Sequence, residues 1–431
     1  MSLTNSSPSD AGNKTPATHG LKSTFYALGV RNYRYFWLGN LGAFFSNHMQ
    51  QPTQAWLAYE ITNSPLLLGL VWAAQGISQV IIAPIGGIVI DRIQKRNLIM
   101  MAQTVAIALN LTIAILITLG IIQFWHLLLV SFLNGITNAF NSAARNSIVP
   151  ELVPKDRVYN AIALNNGGAN IARIAGPALA GLLIGFIGTQ GAYFTGIGFS
   201  LLAVLTISFL PPTSKLGLMK THSVLANIRD GFQYLKLRNI LLILLMMEVA
   251  ITFFGMCYLG LMPVFARLLN ADSTGYGLMM SAIGVGSLTG AFSMASMGSV
   301  KRKGLVLMWV GILFGLFLIL FGNAVHIGNL TNIGPLAYIV ALVCLAAVGF
   351  NSTSYTATSL TLIQMNTSDE YRGRVISMYQ FVIAFYPISI LVAGALANTI
   401  GAPLTLTIGG GLLMVFMLLM LLVFRKIKNL V

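Results

Sequence analysis

Two charged side chains lie inside apolar stretches, where a charge is costly and usually functional. Of the ten acids, Glu248 alone lies away from tails, loops and span edges, about 14 Å into its helix at about 1.5 Å per residue. A carboxyl group at that depth could exchange protons as a cavity alternates between the two faces of a membrane. Arg173 is the opposite charge and could pair with Glu248, or it could be structural. His48 could also titrate, although a neutral histidine with a hydrogen-bond partner is the simpler interpretation.

Uncharged polar side chains repeat at helical spacing along three other apolar stretches. They would line a hydrophilic or amphipathic path, or they would form interhelical hydrogen bonds worth about 0.6 to 2 kcal/mol each. The residues predicted to line a substrate cavity are Asn40, Asn47, Gln51, Gln54, Asn134, Asn138, Asn351, Ser354 and Tyr355.

The sequence contains no pattern that favours an enzyme. It has no phosphate-binding loop, no His and Cys cluster at metal-ligand spacing and no acidic pair within an apolar stretch. The two cysteines both lie in apolar runs, which supports neither a disulfide framework nor a metal site. We therefore predict no catalytic residue, no metal and no cofactor.

The composition is that of a polytopic membrane protein. Hydrophobic residues make up 56% of the 431 positions and charged residues only 8%, while the 43 glycines suit close packing of membrane helices. The net charge of +15 comes from bases dispersed between apolar segments. Without an aromatic-rich basic platform, these bases indicate topology rather than nucleic-acid binding.

Apolar runs of about 20 residues or more predict an all-α membrane protein with twelve transmembrane helices in two six-helix bundles. We number these predicted spans 1 to 12 along the chain, with span 5 near 158–187, span 6 near 190–210, span 7 near 239–266 and span 11 near 374–398. The predicted units are a disordered tail at 1–24, a first bundle at 25–210, a cytoplasmic linker with an amphipathic helix at 211–238, a second bundle at 239–425 and a tail at 426–431. Lys and Arg, Arg145 among them, concentrate on one side, which predicts that both termini are cytoplasmic.

One charged motif follows the second apolar span. Gly87, Asp91, Arg92, Lys95 and Arg96 resemble the loop signature of the major facilitator superfamily, although Gln94 replaces its second glycine. The resemblance implies that this motif is a conformational switch, in which the aspartate contacts the N-terminus of helix 11 near Arg374 and favours an outward-open state. The alternative is a charge cluster that only fixes topology.

Span 5 contains Gly176, Pro177 and Gly181, which are similar in part to the antiporter motif of the superfamily's exporters. The alternative is ordinary close packing of helices. Stretches at 144–154, 230–235 and 371–375 resemble the branch that includes the enterobactin exporter and multidrug efflux proteins. Many proton-coupled exporters have an arginine in helix 4 where Ser131 stands here, so the sequence departs at this position from the usual coupling arrangement.

The resemblance and the polar spans together favour a secondary exporter of a small amphipathic compound, siderophore-like or drug-like. Export would be driven by proton antiport through alternating access in a bacterial inner membrane. The expected partners are a small molecule, protons and the lipid bilayer, and the expected state is a monomer. An importer or lipid mover of the same fold, or a membrane sensor or scaffold without transport, are the alternatives.

The switch interpretation predicts that Asp91→Asn shifts the conformational balance toward the inward-open state, because the carboxylate contact with helix 11 is lost. Labelling of single cysteines introduced on each face would measure this balance. Unchanged labelling on both faces would reduce the motif to a topology marker.

Overall fold

The computed structural model describes residues 25–90, 93–212, 238–296, 302–331, 334–368 and 370–424. The predicted tails 1–24 and 426–431 and the amphipathic helix of the linker lie outside these residues. We call residues 25–212 the first half and residues 238–424 the second half.

Helices account for nearly all of the described chain. The first half contains α1 Arg31–Thr62, α2 Pro65–Ile90, α3 Lys95–Thr118, α4 Phe124–Leu152 and α5 Val158–Ser208. The second half contains α6 Asn239–Ala250, α7 Tyr258–Leu268, α8 Ser273–Ser296, α9 Lys303–Thr331, α10 Gly334–Met365, α11 Arg372–Ile383, α12 Tyr386–Ile400 and α13 Ala402–Val423. The turns at 63–64, 119–123, 269–272 and 401 lie at one end of the molecule, which we call the far end. The turns at 153–157, 366–368 and 370–371 lie at the other end, which we call the linker end.

Ten helical stretches of the described residues are long and apolar enough to cross a membrane, so the chain is a multi-pass membrane protein. The helix α1 is not among them, since its polar stripe lowers its apolar character. The stretch Lys155–Ser208 counts once, although its 54 residues exceed the length of one crossing. Gly188 interrupts this stretch with φ 77° and ψ 172°, a backbone conformation that suits glycine.

Two predicted spans are each divided into two helices. A π-helical segment, Ile251–Gly255, separates α6 from α7, and the side chain of Ser389 donates a hydrogen bond to the carbonyl of Phe253 at 2.9 Å. Residues 384–385 separate α11 from α12, where Pro387 lies in the first turn. Proline in that turn needs no amide hydrogen bond, so α12 begins there with no polar group lost. Apolar length alone predicted continuous helices.

The halves pack against each other from the far end to the middle of the helices, largely through glycine. A Cβ atom on Gly181 of α5 would lie 2.0 Å from the Cα atom of Gly277 in α8. A Cβ atom on Gly394 of α12 would lie 2.4 Å from the carbonyl oxygen of Pro65 in α2. Backbones meet directly at both places, as expected for helices that associate inside a membrane.

Two apolar clusters follow the same division. The larger combines far-end residues of the first half, such as Trp56 and Ile184, with the core of the second half, and the rings of Trp56 and Tyr276 lie 5.2 Å apart across the interface. The smaller lies at the linker end, around Tyr33 and Ile148, and its buried members all belong to residues 27–210. The larger apolar cluster is therefore shared between the two halves at the far end. The smaller cluster, at the linker end, consists of residues of the first half.

Gly181→Val should loosen the far-end contact, because its side chain would displace the backbone of α8 at a cost of about 1–3 kcal/mol. Another pair at the far end of the same interface between the halves reports the change: the Oγ atom of Ser64 lies 3.4 Å from Oδ1 of Asn398 in α12. Oxidative cross-linking of a Ser64→Cys, Asn398→Cys protein should fall when Gly181→Val is added. Gly198→Val is the matched control, since a Cβ atom there meets nothing within 4 Å. Equal cross-linking in both variants would contradict the prediction.

Candidate functional site

A cavity of about 280 Å³ lies where the two halves meet. Trp72 of α2 and Tyr386 of α12 stand in its wall, with ring centroids 6.0 Å apart. The polar side chains that line it are Asn47, His48, Gln51, Gln75, Gln79, Asn138, Asn141, Ser142, Arg145 and Asn165. These ten side chains all belong to the first half, whereas Tyr386 belongs to the second half.

The polar stripes predicted on spans 1 and 4 face each other across this cavity. Asn47 donates a hydrogen bond to the Oδ1 atom of Asn138 at 3.1 Å, and Gln51 lies one turn further along α1. Sequence reasoning missed Gln75 and Gln79, which stand at helical spacing from Trp72 on α2. The spacing of these side chains along span 2 was a usable signal, whereas the prediction rested on the polar stripes of spans 1, 4 and 10.

The other predicted cavity residues lie away from this cavity. Gln54 donates to the hydroxyl of Ser131, which stands where many exporters have arginine, and Asn134 is buried one turn further along α4. Asn351, Ser354 and Tyr355 are buried on α10. The polar face of α10 packs within the second half, with the Ser354 hydroxyl 3.0 Å from where a Cβ atom of Gly290 would stand.

The guanidinium of Arg145 is the centre of a buried hydrogen-bond network. It donates to Oδ1 of Asn141 at 2.7 Å, to Oε1 of Gln103 at 3.2 Å and to Oδ1 of Asn40. These acceptors belong to α4, α3 and α1. One cation therefore joins three helices of the first half.

Further hydrogen bonds extend the network to both arms of α5. Asn40 donates to Asn165 at 2.6 Å, before the Gly188 break, and Gln103 donates to Ser200 at 2.9 Å, after it. Ser200 in turn donates to Ser46 of α1 at 2.7 Å. Polar groups buried in a membrane protein need such internal partners, because lipid offers none.

Only amide oxygens accept the hydrogen bonds of Arg145. Among the described residues the ion pairs are Lys95 with Glu151 and Arg157 with Asp156, and neither involves Arg145. Arg145, which the sequence places among the bases of the cytoplasmic side, is 5% exposed inside α4. The four-residue spacing from Asn141 puts the two side chains on one face of the helix, and this holds whether that face meets water or protein.

Glu248 lies in a second polar cluster, inside the second half. The carboxyl group is 3% exposed and accepts a hydrogen bond from the hydroxyl of Ser359 at 3.1 Å. The side chains of Tyr355 in α10 and Tyr379 in α11 lie close enough to this carboxyl group to interact with it electrostatically. Three helices thus surround a carboxyl group whose neighbours are hydroxyl groups, three residues before the π-helical segment.

Arg173 and Glu248 are not an ion pair. Arg173 lies within electrostatic range of His48 and of Tyr258, because α5 packs between α1 and the second half. The neighbouring Gly176 lies against α1, where its Cβ atom would stand 2.8 Å from that of His48. The motif containing Gly176, Pro177 and Gly181 therefore brings α5 close to α1 at one position and close to α8 at another.

The described part of the charged motif after α2 joins helices of the first half. Lys95 pairs with Glu151 at the end of α4, and Arg96 donates to the carbonyl of Ser208 at 2.6 Å. Gly87 lies within α2, while Asp91 and Arg92 lie outside the described residues. The predicted switch contact of Asp91 stays a prediction.

Comparison with known proteins identifies the family. Residues 22–429 match the family described as transmembrane secretion effector. The chain belongs to this family of the major facilitator superfamily. Its membership confirms the resemblance predicted from the sequence motifs, and the family and its relatives are transporters, not enzymes.

Relatives of the chain include two named for export. Macrolide efflux protein A of Streptococcus pyogenes is 20% identical over 369 residues, which cover 85% of this chain and 89% of that protein. The enterobactin exporter of Shigella flexneri is 24% identical and covers 73% of this chain and 72% of its own length. The crystal structure of the nucleoside transporter NupG shares the fold, with a TM-score of 0.72 and 14% identity over 91% of this chain and 99% of that one.

Asn40→Leu should destabilise the first half, because it removes one acceptor from the buried guanidinium and one donor from Asn165. Leaving a buried polar group unsatisfied costs about 1–3 kcal/mol, and more for a charged group. Thermal unfolding in detergent would measure the loss. The control is Asn366→Leu, which removes a side-chain hydrogen bond to the carbonyl of Leu362 just after the end of α10. Equal melting temperatures in the two variants would contradict this role of Asn40.

Proposed function

We propose that the protein is a proton-coupled exporter of a small amphipathic compound, siderophore-like or drug-like, that works by alternating access. The observation that carries this proposal is the buried carboxyl group of Glu248 among hydroxyl groups of α10 and α11, separate from the polar cavity. Transport of a small molecule requires a place to bind it, and coupling requires a group that gains and loses a proton. The polar cavity and Glu248 are our candidates for these two roles.

The surroundings of Glu248 suit a group that changes its protonation state. A hydroxyl group donates a hydrogen bond to a carboxylate and accepts one from a carboxylic acid. Ser359 can therefore serve both forms, whereas a partner arginine would hold the anion alone. Water that reaches the cluster from one side and then from the other would let Glu248 take up a proton on one face and release it on the other.

The divided helices connect a change in the protonation of Glu248 to a change in helix packing. Glu248 is at the end of α6, next to the π-helical segment, and Tyr379 is on α11, just before the break at 384–385. Transporters of alternating-access type use discontinuous helices beside their binding sites. We propose that protonation of Glu248 changes how α6, α10 and α11 pack and so alters contact between the halves.

The same proposal includes twelve crossings in two bundles, at residues 25–210 and 239–425. Ten stretches qualify by length and composition, Lys155–Ser208 supplies a further crossing through its break at Gly188, and α1 supplies the last. We place the linker end in the cytoplasm of a bacterial inner membrane, with both termini cytoplasmic, because Lys and Arg concentrate there. The expected state is a monomer.

Glu248→Gln should abolish export driven by a pH gradient, because an amide keeps the hydrogen bond of Ser359 but cannot exchange a proton. The assay is uptake of fluorescent cationic, neutral and acidic amphipathic compounds into everted vesicles with an imposed gradient. Export by the variant should fall to near the rate measured without a gradient.

Glu60→Gln is the matched control, since this glutamate is exposed at the far end and its loss should leave export unchanged. Undiminished, still pH-driven export by Glu248→Gln would remove Glu248 from the coupling machinery. If the folded wild-type protein moves no compound in either direction, the result favours a sensor or scaffold.

A further inference from the structure

The cavity holds a positive charge that no acid of the described residues neutralises. Arg145 lines the cavity, is 5% exposed, and stays protonated because guanidinium does not release its proton in proteins. Its acceptors are three amide oxygens, which carry partial charge only. Removing a cation from water is costly even after a protein relaxes around it, and amide dipoles offset that cost less well than an anion does.

We propose that the substrate is an organic anion whose carboxylate binds at Arg145 and whose apolar part lies against Trp72 and Tyr386. This proposal rests on the proposed transport function and names the class of compound the cavity takes. A carboxylate supplies the full negative charge that Arg145 lacks, and its two oxygens match the planar guanidinium. The three hydrogen bonds of Arg145 leave part of its donor set for such a ligand.

The remaining surface of the cavity fits the rest of such a molecule. Trp72 and Tyr386 offer an aromatic wall, and their rings meet at 68°. The amides of Gln75, Gln79 and Gln51 can donate or accept, so they suit hydroxyl or carbonyl groups next to the acid. The volume of about 280 Å³ is at the small end of ligand cavities, which favours a single fused-ring acid over a large macrocycle.

A basic compound is excluded by the same charge. No acidic side chain among the residues that the structure describes lines the cavity, so a cationic drug would face Arg145 without a counter-ion from this part of the chain. A neutral compound could bind to the amides and the aromatic wall, but it would leave the positive charge of the guanidinium uncompensated. Acid, amide and amine versions of one molecule should therefore bind in that order.

The test is equilibrium binding to purified protein in nanodiscs without any gradient. The probes are 2-naphthoate and 2-naphthamide, which differ only in whether they carry a carboxylate, and isothermal titration measures their affinities. The wild-type protein should bind the acid at least about tenfold more tightly than the amide. Arg145→Gln should lose this preference, while its affinity for 2-naphthamide changes little.

Two further variants keep the test decisive. Arg302→Gln removes the same charge from an exposed site at the linker end and should keep the preference for the acid. Asn141→Asp places a carboxylate where an amide oxygen now lies 2.7 Å from Nε of Arg145, with almost the same shape. If Arg145→Gln does not fold, Asn141→Asp alone tests the anion proposal. This variant should lose the preference for the acid over the amide, because its new carboxylate already neutralises the guanidinium of Arg145.

Failure of this inference is distinguishable from failure of the transport function. Equal affinity of the wild-type protein for acid and amide, or a preference that survives in Asn141→Asp, overturns the anion proposal whether or not transport is observed. Selective binding of the acid, with no flux of any compound in vesicles, supports the anion site and overturns the exporter.

Discussion

A membrane-embedded cation must find its partners inside the protein, and this constraint shapes the first half of the molecule. The guanidinium of Arg145 reaches α1, α3 and its own helix α4, and the chain of amides and hydroxyls continues to both arms of α5. The bond from Arg145 to Asn141 lies within α4, and the others join helices that have little apolar advantage in meeting, since lipid is as apolar as their own surfaces. The network thus sets the arrangement of these helices and leaves one side of the cation at the cavity.

Close backbone contact is the second condition for assembly. Gly181 and Gly277 bring α5 and α8 together where any side chain would keep them apart, and Gly176 does the same for α5 and α1. These contacts lie toward the far end or the middle of the helices, whereas the smaller apolar cluster at the linker end stays within residues 27–210. The halves are therefore joined in two ways: by close backbone contacts at glycine and by the shared apolar core at the far end, where the rings of Trp56 and Tyr276 pack together.

The apolar runs predict the helices well because in a membrane the length of a run and the length of a crossing are linked. The break at Gly188 also follows from the sequence, as the boundary between two predicted spans. The divisions at 251–255 and 384–385 do not follow from the sequence. The apolar composition is unbroken there, and packing against the surrounding helices determines where each helix is interrupted. For the site, periodicity placed Asn47, Gln51 and Asn138 on facing helices. It could not assign Arg145, since a base near the end of a span has the same pattern whether it turns outward to water or inward to amides.

The cavity and the carboxyl cluster lie in different halves of the chain. Apart from Tyr386 and Pro387, the cavity is lined by residues 43–165, while Glu248 and its hydroxyl neighbours all lie beyond residue 247. A gene for such a protein can accumulate substitutions that alter what is recognised without touching the residues proposed to handle protons. When the protein must recognise new compounds, substitutions are then expected mainly in the gene segment that encodes the first half, while the segment that encodes the second half changes slowly.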